Sequence, residues 1–159
     1  MQPAVLAFND AGTPYSPYYD DIYHSAAGAW GQSEHVFLLG NQLPKRWAGR
    51  AQFTLLETGF GLGINFLSTW AAWYADVNRP TQLHFVSIEK HPLQQADLRQ
   101  ALEQCLASLS KEDIRHELAK QLCQHWPVLT PGLHQLCFTE NWLHGLDSTT
   151  AFANTSTPH

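Results

Sequence analysis

Three glycines at alternate positions, Gly59, Gly61 and Gly63, separate two short apolar runs and constrain this chain more than any other feature. The run before them, Gln52–Leu56, is rich in β-formers and reads as a buried strand. Beyond them Phe66, Leu67, Trp70, Trp73 and Tyr74 are spaced for one face of a helix over Ile64–Tyr74, which Asn78–Pro80 closes. Leu83–Ile88 reads as a second buried strand. Strand, helix and strand in such a short span form a βαβ unit, with two parallel strands and a right-handed crossover.

Around that unit the pattern is looser. Residues 1–34 carry turn formers and aromatics, including Pro14, Tyr15, Pro17, Tyr18 and Tyr19, and read as an irregular arm over the domain. His35–Leu39 fits either a short strand or a helical turn. Pro92 is placed for the first turn of a helix, and Leu98, Ala101, Leu102, Cys105, Leu106 and Leu109 continue it as an apolar face. Ser110 with Asp113 resembles a capping box for a third helix carrying Ile114, Leu118, Leu122 and Trp126, which Pro127 ends. Leu133–Phe138 fits one more strand. From Thr139 to His159 there is little to bury and no periodicity, so a disordered tail is expected. The expected fold class is α/β, an incomplete Rossmann-like domain over 35–138 between the arm and the tail.

Composition removes several classes. The formal charge is −5, so no bulk basic field marks a nucleic-acid binder, and Lys45, Arg46 and Arg50 are the one basic cluster. Cys105, Cys123 and Cys137 lack paired short spacings, which argues against a disulfide framework and a zinc knuckle and for free thiols, buried or half-buried. The nine histidines show no metal-ligand spacing, so no metal is expected. Met1–Asp10 lacks the form of a secretory signal and no apolar run is long enough to span a bilayer, so a soluble, cytoplasmic protein is expected.

The chemistry is concentrated in Glu57-Thr58-Gly59-Phe60-Gly61-Leu62-Gly63-Ile64-Asn65. Glycines between a strand and a helix let the backbone approach a ligand, and the helix start offers unpaired N–H groups. A dinucleotide fingerprint needs Gly-x-Gly-x-x-Gly, but Ile64 or Phe66 stands at the third position, which disfavours an NAD-dependent oxidoreductase. A phosphate loop needs a lysine, and none occurs here. Glu57 at the loop's mouth would repel a pyrophosphate, whereas S-adenosylmethionine brings an ammonium group that a carboxylate favours. Glu89 ends the second strand, where a carboxylate can accept hydrogen bonds from ribose hydroxyls. The cofactor-binding candidates are Glu57, Gly59, Gly61, Gly63, Asn65 and Glu89.

Asp20-Asp21-Ile22-Tyr23, Val36-Phe37-Leu38-Leu39-Gly40-Asn41-Gln42-Leu43, Arg46-Trp47, the glycine loop and Phe85-Val86-Ser87-Ile88-Glu89-Lys90 resemble one known family. It is the bifunctional tRNA 5-methylaminomethyl-2-thiouridine biosynthesis family, and the likeness falls in the amino-terminal part of its methyltransferase domain, over about residues 2 to 138. The resemblance implies methyl transfer from S-adenosylmethionine to the aminomethyl group of a wobble uridine in tRNA. It places Asp20, Asp21, Tyr23, Asn41 and Gln42 on the substrate side, and it assigns no catalytic base. The family's Asp-Gly-Phe-x-Pro segment has no counterpart here, and Trp142–His159 matches nothing and reads as a shifted or prematurely ended frame. The FAD-dependent second domain is also missing, so FAD is not expected to bind. The competing expectation is an inactive truncated remnant that at most binds cofactor.

Overall fold

The computed structural model describes residues 2–10, 12–23 and 28–139. The βαβ unit forms as the glycine spacing requires. Strand β4 (Gln52–Thr58) and strand β5 (Gln82–Ile88) are parallel, with Gln52 opposite Gln82 and Thr58 opposite Ile88, and helix α2 (Ile64–Ala75) crosses between them. Both strands are half-buried rather than buried. Phe53, Leu55 and Glu57 turn toward the helices, while Leu56, Val86 and Ile88 on the opposite face stay 64%, 43% and 63% exposed. Parallel strands are ordinarily covered on both faces. Among the described residues only one layer covers this pair, so the apolar runs read from sequence overstate the burial.

The described residues of the 1–34 segment form regular elements rather than an irregular arm. They hold a small antiparallel sheet of β1 (Ala7–Phe8), β2 (Pro14–Ser16) and β3 (Asp21–Ile22), with β2 in the middle, and then helix α1 (Ala29–Gln32). The His35–Leu39 segment resolves as helix: α1 runs directly into a π-helical stretch, Ser33–Leu39, that packs on α2. Leu38 joins a core of Leu43, Trp47, Phe53 and Leu55, with Phe37 packed against it. Trp47 is wholly buried there and donates its indole N–H to Asp76 at 2.7 Å.

The larger core lies on the far side of α2, where α3 (Gln95–Leu106) and α4 (Arg115–Gln124) pack through Leu98, Leu102, Leu118 and Leu122. Three local expectations change. Pro92 precedes α3 rather than opening its first turn, because the helix begins at Gln95. The capping box does not form; Asp113 alone accepts the Arg115 backbone N–H at 2.9 Å. Leu133–Phe138 is not a strand and pairs with neither open edge of the β4–β5 sheet. Phe138 instead sets its ring 4.6 Å from that of Trp70. Cys105 and Cys123 are buried free thiols, but Cys137 is exposed. The expected tail lies, past Thr139, outside the described residues.

Candidate functional site

At the carboxyl ends of β4 and β5 the glycine loop, the turn after β5 and the β2–β3 hairpin enclose a cavity of about 430 Å³. Ligands in open α/β sheets bind at this end of the strands. Its walls include Gly59, Gly61 and Glu89 with Tyr19, Asp21 and Tyr23. Two candidate sets read from separate stretches of sequence, the loop with its carboxylate and the Asp21–Tyr23 pair, therefore meet at one place.

Glu89 is the organising group. Its Oε2 accepts the Gly61 N–H at 3.0 Å and its Oε1 accepts the His91 N–H at 2.8 Å. Each carboxylate oxygen can accept a further bond, so two donors of a ligand can still be served. The Gly59 N–H is spent on the Ile88 carbonyl at 2.7 Å, which ties the loop to the end of β5. Tyr23 faces this carboxylate from the hairpin. Burial first, and then the Glu89 charge, push its phenol above its ordinary 10.0.

Glu57 occupies a different position from the loop's mouth. It is the last inward residue of β4, 7% exposed, and takes the Asn65 side-chain N–H at 3.2 Å and the Ser87 hydroxyl at 3.0 Å. Burial raises its carboxyl above 4.5, the Asn65 and Ser87 hydrogen bonds oppose that rise, and the Glu89 charge adds to it. The cluster pins the first turn of α2 to both strands, so Glu57 and Asn65 stand behind the loop instead of lining the cavity. Gly63 is the residue before α2, with φ of +72°, and it too lies behind the cavity wall.

The remaining predicted positions separate. Asp20 is exposed in the hairpin turn and is not among the lining residues. Asn41 and Gln42 follow the π-helical stretch, near Arg46 and Trp47; Asn41 donates to the Phe37 carbonyl at 2.8 Å. That loop joins the chain at the amino ends of β4 and β5, where Gly49 donates to Asn78, so the structure does not bring these two residues to the cavity. Sequence reasoning passed over Tyr19, Ser87 and His91, which carry no motif of their own. Proximity to Glu89 was the one signal for His91. No group of three His, Cys, Asp or Glu side chains among the described residues can hold a metal. No helix there is long and apolar enough to cross a membrane.

No family model matches the chain. It is 59% identical over 140 residues to the tRNA 5-methylaminomethyl-2-thiouridine biosynthesis bifunctional protein MnmC of Paraburkholderia phymatum, a match covering 88% of this chain and 21% of that protein. The MnmC protein of Burkholderia thailandensis is 53% identical over 138 residues, covering 87% of this chain and 20% of the relative. The chain thus spans about a fifth of the length of these relatives. The crystal structure of MNMC2 from Aquifex aeolicus superposes with a TM-score of 0.56 at 22% identity, over 82% of this chain and 40% of that one. At that identity the likeness is one of fold.

Proposed function

With its likeness to the MnmC proteins as premise, we propose that this chain carries the S-adenosylmethionine-binding part of a tRNA-modifying methyltransferase. The group supplies, when bound, a methyl carried on a sulfonium, ready for displacement by a neutral amine. The substrate that fits this chemistry is the aminomethyl group of a wobble uridine in tRNA.

The observation that carries the reading is Glu89, held at the cavity wall by two backbone N–H groups with acceptor capacity left over. Fixed by Gly61 and His91, it can receive both ribose hydroxyls without reorganising. Gly59 and Gly61 leave that wall free of side chains, which gives room for a nucleoside. Asp21 on the hairpin supplies a second carboxylate toward a cationic ligand. Glu57 acts through Asn65 by setting the start of α2 behind the loop. The methyl acceptor must lose a proton as the C–N bond forms and the C–S bond breaks, and no residue is assigned as its base.

Calorimetric titration with S-adenosylmethionine, and separately with NAD, tests the reading. Binding of S-adenosylmethionine is expected, weakened in Glu89→Ala by about 1–3 kcal/mol, the scale of a lost charge-assisted hydrogen bond. Binding of NAD alone, or an unchanged affinity in the variant, refutes it.

A further inference from the structure

The wall of the glycine-loop cavity is acidic without a compensating base. Two carboxylates line it, Asp21 on the hairpin and Glu89 after β5, and among the described residues no lysine or arginine does. Backbone donors fix both groups. Glu89 accepts the Gly61 and His91 N–H groups, and Asp21 accepts the Ile22 N–H on its Oδ1 at 2.8 Å. Neither forms an ion pair among the described residues. His91 also lines the cavity but brings no fixed charge, and Lys90 is exposed outside the lining. The Tyr23 phenol on the same wall registers this field: burial first, and then the Glu89 charge, push it up, and Asp97 adds to them.

Tyr19 adds an aromatic surface to that wall. It lines the cavity, is 55% exposed, and meets the Tyr18 ring edge-on at 4.8 Å. The face of a tyrosine ring attracts a cation through its quadrupole. A sulfonium carries no N–H or O–H, so no hydrogen bond can recognise its charge. A negative field and an aromatic face can. Methyl transfer leaves the C–S electron pair on sulfur and turns the sulfonium into a neutral thioether. Donor and product therefore differ at that atom by one methyl and one charge.

We infer that Asp21 and Tyr19 make this cavity selective for the sulfonium donor over its neutral thioether product, so that the product is held less tightly once its charge has gone. The inference rests on the cofactor reading above and deepens it. Coulomb attraction acts across the cavity and needs no direct contact between Asp21 and the sulfur. Glu89 adds to the field, but it also serves the ribose, which donor and product share. Asp21 and Tyr19 instead set the ratio of the two affinities.

S-adenosylmethionine and S-adenosylhomocysteine are titrated by calorimetry into the wild-type chain and into Asp21→Asn, Tyr19→Leu and Tyr19→Phe. The wild type is expected to bind the methionine form about 3–10-fold more tightly. Asparagine keeps an oxygen for the Ile22 N–H and removes the charge, so Asp21→Asn should bring the two affinities within about twofold of each other. Tyr19→Leu should weaken the methionine form alone, by about 2–5-fold, while Tyr19→Phe keeps the ring and the wild-type ratio. On the unmodified protein, where misfolding cannot hide the result, raising salt from about 0.05 to about 0.5 M should shrink the ratio. Equal affinities in the wild type, a ratio indifferent to salt, or an undiminished ratio in Asp21→Asn overturns this inference and leaves the cofactor reading standing. Failure of both ligands to bind the wild-type chain overturns both.

Discussion

Replacing Gly63 by alanine is expected to cost far more than the same change at Gly59, although both glycines sit in one loop with positive φ. At Gly63, φ is +72° and an added Cβ falls 2.7 Å from Cε1 and Cζ of Phe60 and 3.3 Å from Cδ2 of Leu122. At Gly59, φ is +86° and nothing lies within 4 Å. Holding a side chain in the left-handed region costs roughly 1–2 kcal/mol at either site. Only Gly63 adds overpacking. Phe60 cannot simply swing aside, because its ring rests 5.4 Å from that of Trp126 and 6.1 Å from that of Phe66. Forcing a methyl into such a place costs about 1–3 kcal/mol more. The totals are about 2–5 kcal/mol for Gly63→Ala and about 1–2 kcal/mol for Gly59→Ala, against a domain stability on the order of 5–15 kcal/mol. Urea denaturation followed by tryptophan fluorescence reads the difference as a midpoint about 0.5–1.5 M lower for Gly63→Ala. Equal midpoints would show that the Phe60 ring yields freely, and the packing argument would fall.

Three further outcomes follow from named groups. Because burial raises Glu57 above 4.5, the folded chain keeps this proton at pH values where the unfolded chain has lost it. Stability is therefore fully present below 4.5 and declines as pH rises toward the folded value; Glu57→Gln should flatten that decline in urea midpoints taken across this range, and an unchanged slope refutes the assignment. Arg115 bonds Asp113 at 2.7 Å and Glu34 at 2.9 Å and lies over the Trp30 ring, so Arg115→Ala should cost about 1–2 kcal/mol. Its hydrogen bond to Asp113 holds that carboxyl below 3.8, so the stabilisation is full above 3.8 and fades as pH falls through the lower folded value; the variant should lose that acid dependence in the same titration. Burial pushes the Cys105 thiol up to about 11 and also raises Cys123, while Cys137 is exposed. Brief alkylation of the native protein should mark Cys137 first, with all three thiols reacting after denaturation; early mapping of Cys105 by mass spectrometry would contradict the burial.

The central unit was legible because its signals are local. Glycines between an apolar run and a 3.6-residue stripe admit few chain paths, and the ends of α2, α3 and α4 fell within a few residues of the apolar periods. Where a segment's state depends on what lies beside it, the pattern was ambiguous. His35–Leu39 is helix where it packs on α2, and Leu133–Phe138 stays out of the sheet while Phe138 packs its ring on Trp70. Short strands such as Pro14–Ser16 hold only by pairing, and pairing partners are invisible along the chain.

The sequence by itself determined the βαβ order, the glycine loop and the presence of carboxylates at the two strand ends, since each depends on residue type and short spacing. Which carboxylate meets the cavity was decided by the tertiary structure. Strand alternation turns Glu57 inward to Asn65 and Ser87, while Glu89, one residue past β5, is free to curl back onto the loop amide of Gly61. The approach of Gln2 to His91, 89 residues apart, is likewise a product of folding. A hydrogen bond of that range fixes the ring's tautomer, and no local pattern of residues encodes it.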